Sequence, residues 1–449
     1  MPSCPAFLVA APASGQGKTT VVAALARLHT RLGRRVSVFK CGPDFLDPQI
    51  HAVASARPCL NVDAWMCGDA DIAWRLAEAA RTSELILIEG VMGLFDGSPP
   101  AAELAARLGV PILAVIDAFG MSTGFGAVAY GLKHYRTGTP VVAAFANRLG
   151  SPRHAELVEK SLPPDIAWYG YLPRDIDGAM PERHLGLLPA AEIDRLGDRI
   201  DRMATHLAKT DAAKLPPPVR FADAQAPELP RLLEGKTIAV ARDAAFCFLY
   251  PANVDCLKRL GASIFYFSPL SDAGLPPCDA LWLPGGYPEL HAPALASNRN
   301  FQREVRRHVD AGKPLLAECG GMMPLFESMT FADGQEFAMA GVLPGKIVMG
   351  KKLFGLGMQE ARLPEGVLRG HAFHYSRTET PLLPLALSER PDGRPGEAIY
   401  RRERMTASYM HLYFPSNPEA TARLFLRDSY QGSGIRHQET DVRRRETDQ

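Results

Sequence analysis

The sequence lacks the features that mark membrane and secreted proteins. No apolar run reaches the length of a membrane-spanning helix, and the N-terminus has no basic segment followed by an apolar stretch. The net charge is close to zero, because the chain has 50 Lys and Arg and 49 Asp and Glu. The composition therefore does not favour nucleic acid or a membrane surface as a partner. We therefore expect a cytoplasmic protein with small-molecule partners, and a homodimer stays open.

Paired cysteines are also missing. The chain has eight cysteines and no C-x-x-C pair, which argues against a structural zinc site or a disulfide framework and fits a reducing compartment. The hydrophobic fraction of 47% and the charged fraction of 22% are typical of a globular protein. Because 449 residues exceed one ordinary hydrophobic core, we expect at least two domains.

Apolar strands alternate with helical patterns in both halves of the chain. The alternation predicts an α/β fold, with a parallel, doubly wound sheet in the first half and a second α/β series after it. The helical patterns lie at Asp71–Arg81, Ser122–Tyr135, Arg153–Ser161, Val254–Leu260 and Phe301–Ala311. A proline-rich stretch without periodicity lies between the halves. We predict a first domain at 1–209, a linker at 210–234, a second domain at 235–430 and a polar, disordered tail at 431–449.

The stretch Ala11–Thr20 follows a short apolar strand and precedes a helix-favouring run. A strand, a glycine-containing turn and a helix can wrap backbone N–H groups around a phosphate chain. Lys18 would then reach the β- and γ-phosphates and the Thr19 hydroxyl would bind Mg²⁺. Pro12 stands where the usual G-x-x-x-x-G-K-[ST] pattern has Gly, and a turn that only connects strand to helix is the alternative. The predicted ATP-binding residues are Ser14, Gly15, Gln16, Gly17, Lys18, Thr19, Thr20 and Asn147.

Polar side chains end several other predicted strands of the first half. Glu89 follows an apolar strand, as a Walker-B-like acid would, and a carboxylate there orients Mg²⁺. Asp44 and Asp47 suit metal or substrate binding, although an ordinary Asp-Pro turn explains them equally well. The complete set of strand-end residues is Lys18, Asp44, Asp47, Glu89, Asp96, Asp117 and Asn147. Ligands of doubly wound sheets bind at the carboxyl ends of the strands, so this set predicts one site. Asp117 taken alone is better explained as a solvated loop residue.

In the second half, Cys319 lies between the apolar strand Leu315–Ala317 and a Gly-Gly pair that we expect to open a helix. Such a turn presents a nucleophile, and a helix N-terminus lowers the pKa of a thiol. Gly286, in an earlier Pro-Gly-Gly turn, and Gly320 would donate their N–H groups to an oxyanion. The alternative is a buried structural thiol. A base is required, and spacing does not choose among His371, His374 and His411.

Four stretches together resemble one family of enzymes. They are A-P-A-S-G-Q-G-K-T at 11–19, G-P-D-F-L-D-P at 42–48, E-G-V-M-G-L-F-D-G at 89–97, and the Cys319 and His411 segments with G-H-A-F-H-Y-S at 370–376. Over about 3–430 the chain resembles the cobyrinate and hydrogenobyrinate a,c-diamide synthases of cobalamin biosynthesis. Its second half resembles a glutamine amidotransferase of the triad type.

The resemblance implies an ATP-dependent ligase domain, similar to dethiobiotin synthetase, fused to a glutaminase domain. Cys319 would be the glutaminase nucleophile and His411 its base, and a corrinoid, L-glutamine, ATP and Mg²⁺ would be the small molecules. Thr19, Asp47 and Glu89 are the Mg²⁺ candidates, and Asp44 and Asp96 the substrate candidates. Ordinary triad amidotransferases carry Glu two residues after the His, whereas this chain has Tyr413. The corrinoid branch is known for such a Cys-His arrangement.

Three alternatives remain at this stage. One is amidation of another tetrapyrrole, such as a nickel-sirohydrochlorin, or of other corrinoid side chains as in cobyrate synthase. The second is a P-loop ATPase of the partitioning type, but such loops carry an early second Lys, and none occurs between Phe7 and Gly17. The third is a binding protein without catalysis. Hydrolysis of glutamine to glutamate separates the last two from a ligase.

Overall fold

The computed structural model describes residues 1–174, 182–183 and 186–427, so the predicted tail at 431–449 lies outside the described residues. The first half contains these strands: β1 (Ser3–Ala10), β2 (Val36–Cys41), β3 (Leu60–Val62), β4 (Leu85–Glu89), β5 (Ile112–Asp117), β6 (Val141–Leu149), β7 (Ala167–Pro173), β8 (Glu182–Arg183), β9 (Gly186–Leu187) and β10 (Pro218–Arg220). Its helices are α1 (Lys18–Arg31), α2 (Leu46–Ser55), α3 (Asp69–Thr82), α4 (Ala101–Leu108), α5 (Gly124–His134), α6 (Pro152–Glu159) and α7 (Leu196–Leu207).

The doubly wound parallel sheet predicted for the first half is confirmed. Its strand order is β3-β2-β4-β1-β5-β6-β7, and each of these neighbouring pairs is parallel. Apolar side chains of α1, α2 and α7 form the core on one face, and those of α3 to α6 form the core on the other. The strands are buried on both faces, which explains their continuous apolar runs. The carboxyl ends of β1, β2 and β4 therefore meet at one edge.

The second half contains these strands: β11 (Thr237–Ala241), β12 (Ser263–Phe267), β13 (Ala280–Leu283), β14 (Leu315–Glu318), β15 (Ser328–Thr330), β16 (Glu336–Ala338), β17 (Lys346–Met349), β18 (Gly355–Leu363), β19 (Gly366–His374), β20 (Ser376–Glu379), β21 (Ala386–Glu389), β22 (Pro395–Arg402), β23 (Met405–Ser408) and β24 (Met410–Leu412). Its helices are α8 (Pro251–Arg259), α9 (Ala292–Ser297), α10 (Arg299–Asp310) and α11 (Pro418–Leu424).

The second half has one large mixed sheet in the order β12-β11-β13-β14-β23-β22-β21-β18-β19-β24. The ladder is parallel from β12 to β23 and antiparallel beyond it. A smaller sheet has the order β16-β15-β17-β20. The α/β character is confirmed, but the many antiparallel strands between 328 and 402 were not predicted. Among the described residues no helix combines the length and apolarity needed to cross a membrane.

The stretch predicted to be a linker contributes to the first sheet. Within it, β10 pairs antiparallel with the start of β1, and Val219 packs into the core. The domain boundaries themselves stay predictions. The two halves share buried side chains, because Tyr250 and Tyr413 from the second half lie in the first half's core. The Tyr250 hydroxyl donates to the Pro43 carbonyl at 3.1 Å.

Candidate active sites

The P-loop turn is closed by backbone and side-chain contacts. Gly17 has φ 88°, and a Cβ there would lie 2.1 Å from Nδ2 of Asn147, so only glycine fits. The Lys18 ammonium is buried and donates to the carbonyls of Ala13 at 3.2 Å and Met92 at 2.6 Å. Burial lowers the pKa of Lys18. The cation therefore lies between the P-loop and the loop that follows β4.

A buried charge cluster lies beside this turn. The Thr19 hydroxyl donates to Oε1 of Glu89 at 2.8 Å. Nζ of Lys40 lies 3.1 Å from the same oxygen and 2.5 Å from Oδ2 of Asp47. The other Glu89 oxygen contacts Nε2 of His51. The ends of β2 and β4, the start of α1 and the helix α2 thus place two carboxyl groups, one ammonium, one hydroxyl and one imidazole in contact.

The charges in this cluster depend on one another. Burial disfavours the Lys40 cation, but Glu89, Asp47 and Asp44 outweigh burial and hold the pKa of Lys40 well above its usual value. Burial also disfavours the Glu89 anion, but Lys40 and His51 outweigh it and lower the pKa of Glu89. Burial and the nearby Glu89 raise the pKa of Asp47 well above its usual value. One ammonium thus faces two buried carboxyl groups, and of the two Asp47 holds its proton more readily.

The donor set of the cluster suits Mg²⁺. Thr19, Asp47 and Glu89 offer hard oxygen ligands, and a bound cation would stabilise the ionised form of Asp47. The described part of the chain holds no group of three or more His, Cys, Asp or Glu arranged around a metal. Mg²⁺ is usually bound by one or two carboxylates while substrate phosphates and water complete its octahedron.

Asp44 and Asp96, two of the other strand-end residues, lie in different places. Oδ1 of Asp44 accepts the backbone N–H groups of Leu46 and Asp47 at 2.7 and 3.2 Å, which caps the start of α2. Its Oδ2 lies 3.9 Å from Lys40. Oδ2 of Asp96 accepts the N–H of Gly93 at 2.9 Å. Asp44 therefore belongs to the charge cluster, whereas Asp96 stabilises the loop after β4.

Asp117 and Asn147 lie on the far side of the P-loop. Nδ2 of Asn147 donates to the Gln16 carbonyl at 3.0 Å, and the backbone N–H of Asp117 donates to Oε1 of Gln16 at 2.9 Å. The Asp117 carboxylate pairs with the Arg148 guanidinium. Both residues hold the loop in shape, and neither contacts the charge cluster.

The second site is built on a sharp turn at the end of β14. Cys319 has φ 47°, a left-handed conformation that is unusual for a residue with a side chain. A 3-10 helix, Cys319–Leu325, begins at the cysteine itself, one residue before the predicted start. A Cβ on Gly320 would lie 3.0 Å from the nitrogen of Gly286, so these two backbones approach closely. The turn has the strained geometry of a nucleophile elbow.

The structure places His411 beside this elbow. A Cβ on Gly285 would lie 2.3 Å from Cε1 of His411 and 3.4 Å from Cβ of Cys319. Both side chains therefore lie next to Gly285. His371 pairs with His411 across β19 and β24, and their rings stack at 4.9 Å between centroids. His374 instead stacks on Tyr409 at 3.7 Å. Both other candidates thus lie close to the site.

Burial dominates the protonation states of this site, contrary to our expectation for the thiol. Burial raises the pKa of Cys319 well above its usual value, and the opposing hydrogen bond from the Gly320 N–H is weaker. Burial, followed by the nearby His371 and His374, lowers the pKa of His411 well below its usual value. Nδ1 of His411 has no hydrogen-bond partner among the described residues. Both shifts favour a neutral thiol and a neutral imidazole.

A buried acid fixes the strand that carries His411. Glu318, next to Cys319, accepts the Leu412 backbone N–H at 2.7 Å and the Trp282 indole N–H at 2.8 Å. Burial raises the pKa of Glu318 to about 8. The two residues that flank the catalytic candidates in sequence are thus joined directly, which holds β24 against the elbow.

Tyr413 occupies the chain position of the usual third triad residue, but its hydroxyl does not contact the histidine. Its hydroxyl donates to Oδ2 of Asp71 on α3 at 2.6 Å. That carboxylate also accepts from the Arg75 guanidinium at 2.9 Å. The position that orients the histidine in ordinary triads therefore connects this half to the nucleotide-binding half.

Sequence reasoning missed Lys40 and His51. Neither residue is among the candidates that the sequence predicts. The available signals were a lysine at the end of an otherwise apolar strand and a histidine four residues after Asp47, on the same face of a helix. Phe45, between the two aspartates, belongs to the stretch at 42–48, but the sequence predicts no role for it.

Comparison with known protein families assigns each half. Residues 7–209 match the CobQ/CobB/MinD/ParA nucleotide binding domain, and residues 237–419 match the CobB/CobQ-like glutamine amidotransferase domain. Together with the P-loop and the elbow, these matches define a class: a nucleotide-binding domain joined to a glutamine amidotransferase domain, which is a glutamine-dependent, amide-forming ligase.

Curated relatives identify the family within that class. The chain is 55% identical to hydrogenobyrinate a,c-diamide synthase of Stutzerimonas stutzeri, covering 94% of this chain and 98% of the relative. It is 53% identical to the enzyme of the same name from Pseudomonas aeruginosa, covering 94% and 97%. Cobyrinate a,c-diamide synthase of Herminiimonas arsenicoxydans is 45% identical, covering 93% and 96%. The chain belongs to the family of cobyrinate and hydrogenobyrinate a,c-diamide synthases.

Proposed function

We propose that the protein uses ATP and L-glutamine to amidate the a and c side-chain carboxylates of hydrogenobyrinate or cobyrinate, in cobalamin biosynthesis. The observation that carries the proposal is the contact in space between the two sites. Asp44 and Asp47 contribute to the charge cluster, and the ring of Phe45 between them packs on His411 with 4.9 Å between centroids. A site suited to phosphoryl transfer thus adjoins a site suited to releasing ammonia.

In the glutaminase half, Sγ of Cys319 attacks the side-chain amide carbon of glutamine and passes its proton to His411. The N–H groups of Gly286 and Gly320 hold the oxyanion that forms. His411 then gives the proton to the departing ammonia, and water hydrolyses the thioester to glutamate. Because burial favours the neutral thiol and the neutral imidazole, the proton passes to His411 as the carbon–sulfur bond forms rather than before it.

In the nucleotide-binding half, a substrate carboxylate must be activated, since ammonia cannot expel oxide from it. A carboxylate oxygen attacks the γ-phosphorus of ATP, ADP leaves, and an acyl phosphate forms. Ammonia then attacks the acyl carbon and phosphate leaves. Lys18 and the backbone of residues 14–20 hold the phosphates, with Gln16 supported by Asn147. Lys40 is the buried cation that contacts Asp47, and its positive charge would stabilise the phosphoryl group during transfer.

Thr19, Asp47 and Glu89 would hold Mg²⁺, which when bound neutralises phosphate oxygens. Asp44 keeps one carboxylate oxygen outside its helix-capping contacts, which suits a role in positioning substrate. Asp96 is proposed to act on substrate only through the loop that it stabilises, since its Oδ2 is engaged by Gly93.

The product of the reaction tests this function. With ATP, Mg²⁺ and glutamine labelled with ¹⁵N in its amide, hydrogenobyrinate should gain two labelled amides, read from the product mass. The two reported relatives above 50% identity carry that name, which makes it the first substrate to examine and cobyrinate the second. Amidation of neither corrinoid, or of another tetrapyrrole only, would refute the proposal.

Replacing Asp47 with Asn should weaken the response to Mg²⁺. The change removes one charge from the proposed ligand set, so the Mg²⁺ concentration for half-maximal activity should rise about tenfold. The measurement is ammonium-dependent amidation across a Mg²⁺ titration. Asp165→Asn, which alters a carboxylate on the surface of the same half, is the matched control. An unchanged titration in the Asp47 variant would remove Asp47 from the ligand set.

A further inference from the structure

Phe45 lies at the junction of the two sites. It directly precedes α2, and its side chain is buried. Asp44 and Asp47 on either side of it both lie within 3.9 Å of Nζ of Lys40. Any movement of this turn that accompanies substrate binding would therefore move the phenylalanine ring as well.

The same ring contacts the candidate base and a neighbour of the oxyanion turn. It packs on His411, with 4.9 Å between centroids, and stacks on Phe248 at 5.1 Å with the rings nearly parallel. The Phe248 backbone N–H donates to the Gly285 carbonyl at 3.0 Å, and Gly285 precedes the proposed oxyanion donor Gly286. One side chain from the nucleotide-binding half thus touches the candidate base directly and the oxyanion turn through one neighbour.

A second aromatic contact fixes the ring from the other side. Tyr250 stacks on Phe45 with 4.2 Å between centroids. The Tyr250 hydroxyl donates to the Pro43 carbonyl and lies 3.1 Å from Nδ1 of His371. In the described structure the ring is therefore packed among aromatic side chains of the glutaminase half, and it joins His411 to the turn that carries Asp47.

We propose that Phe45 is a gate between the two sites, which holds ammonia at the glutaminase site until a carboxylate substrate engages the Asp44–Asp47 turn. The inference rests on the proposed function, because it needs ammonia as the shared intermediate. Phe45 is a positioning residue in this role. Substrate shifts the population from a closed ring to an open one, and ammonia then passes to the activated carboxylate without meeting water.

The test is the ratio of glutamate formed to amide formed in the full-length protein. Phe45→Ala should raise this ratio about tenfold, the change expected when the closed state loses the contacts of one aromatic side chain. Amidation with added ammonium chloride should stay close to that of the unaltered protein, since no group of the charge cluster changes. Phe45→Leu keeps apolar volume without ring stacking and should give an intermediate ratio. Phe331→Ala, which removes a ring of the second half that packs on Phe337, should leave the ratio unchanged.

A purely structural role would lower both products together and leave the ratio as it was, which would overturn the gate. If Phe45→Ala does not fold, Phe45→Leu decides: a raised ratio supports the gate and an unchanged ratio rejects it. The unaltered protein is assayed first with both nitrogen sources. If it makes amide from neither, the proposed function fails and the gate with it, whereas normal amidation with an unchanged ratio in the variants rejects the gate alone.

Discussion

Replacing Cys319 with Ala is expected to abolish glutamine-dependent amidation and to spare amidation driven by added ammonium chloride. The thiol is the only group proposed to bond to the glutamine carbon, and removing a nucleophile costs a factor of at least about 10³ in rate. Ammonium chloride supplies ammonia without the elbow, and the charge cluster lies in the other half. The measurement is amide formation, read by mass, with each nitrogen source in turn.

Cys256→Ala is the matched control for this experiment. Cys256 is also buried in the second half, where it packs in the core on α8, so its loss tests the removal of a buried thiol without touching the elbow. Both activities should survive in this variant. If Cys319→Ala lost the ammonium-dependent reaction too, while remaining folded, Cys319 would be a structural residue and the glutaminase mechanism would be wrong.

Replacing Lys18 with Ala should remove synthesis with either nitrogen source. Lys18 bridges the P-loop and the loop after β4 through the carbonyls of Ala13 and Met92. The substitution removes the ammonium that we propose binds the ATP phosphates. It also leaves the Ala13 and Met92 carbonyls without their hydrogen-bond donor. Removing one electrostatic donor to a transition state costs about 10²- to 10³-fold, and we expect at least that loss. Amide formation and ATP consumption are measured together.

Lys133→Ala controls for the loss of a lysine from the same half, because Lys133 pairs at the surface with Asp165. It should leave synthesis unchanged. A thermal unfolding midpoint for each variant separates a misfolded loop from a folded protein that cannot transfer phosphate. Retained synthesis in a folded Lys18→Ala protein would reject the P-loop assignment. The Cys319 and Lys18 experiments therefore distinguish the two halves, since only the first variant can be rescued by ammonium.

Local sequence was enough to predict the nucleotide-binding half in outline. The alternation of apolar strands and helical patterns determines a doubly wound sheet, because each strand must be covered on both faces. The carboxyl ends of parallel strands share an edge, which is why Lys18, Asp47 and Glu89 could be grouped before their contacts were known. Asp117 and Asn147 satisfied the same rule and yet lie behind the P-loop, since position along an edge depends on strand order.

The electrostatics were less predictable. A helix N-terminus lowers the pKa of a thiol near water, but Cys319 is buried, and the cost of desolvating a thiolate exceeds the effect of one hydrogen bond. Burial depends on how β14, β19 and β24 pack around the elbow. The antiparallel strands that form this part of the sheet were not predicted, because glycines and polar residues interrupt the apolar residues of β18 and β19, which gives a weak local pattern.

The sequence by itself determined the two fold classes, the P-loop, the nucleophile elbow and the family, because each depends on residues close together in the chain. Only the tertiary structure decided which residues complete the sites. Lys40 and His51 join Glu89 across separate elements, His371 joins His411 across two strands, and Phe45 reaches the other half of the molecule. The physical reason is that charge neutralisation and ring packing act over a few ångströms in space, whatever the separation along the chain.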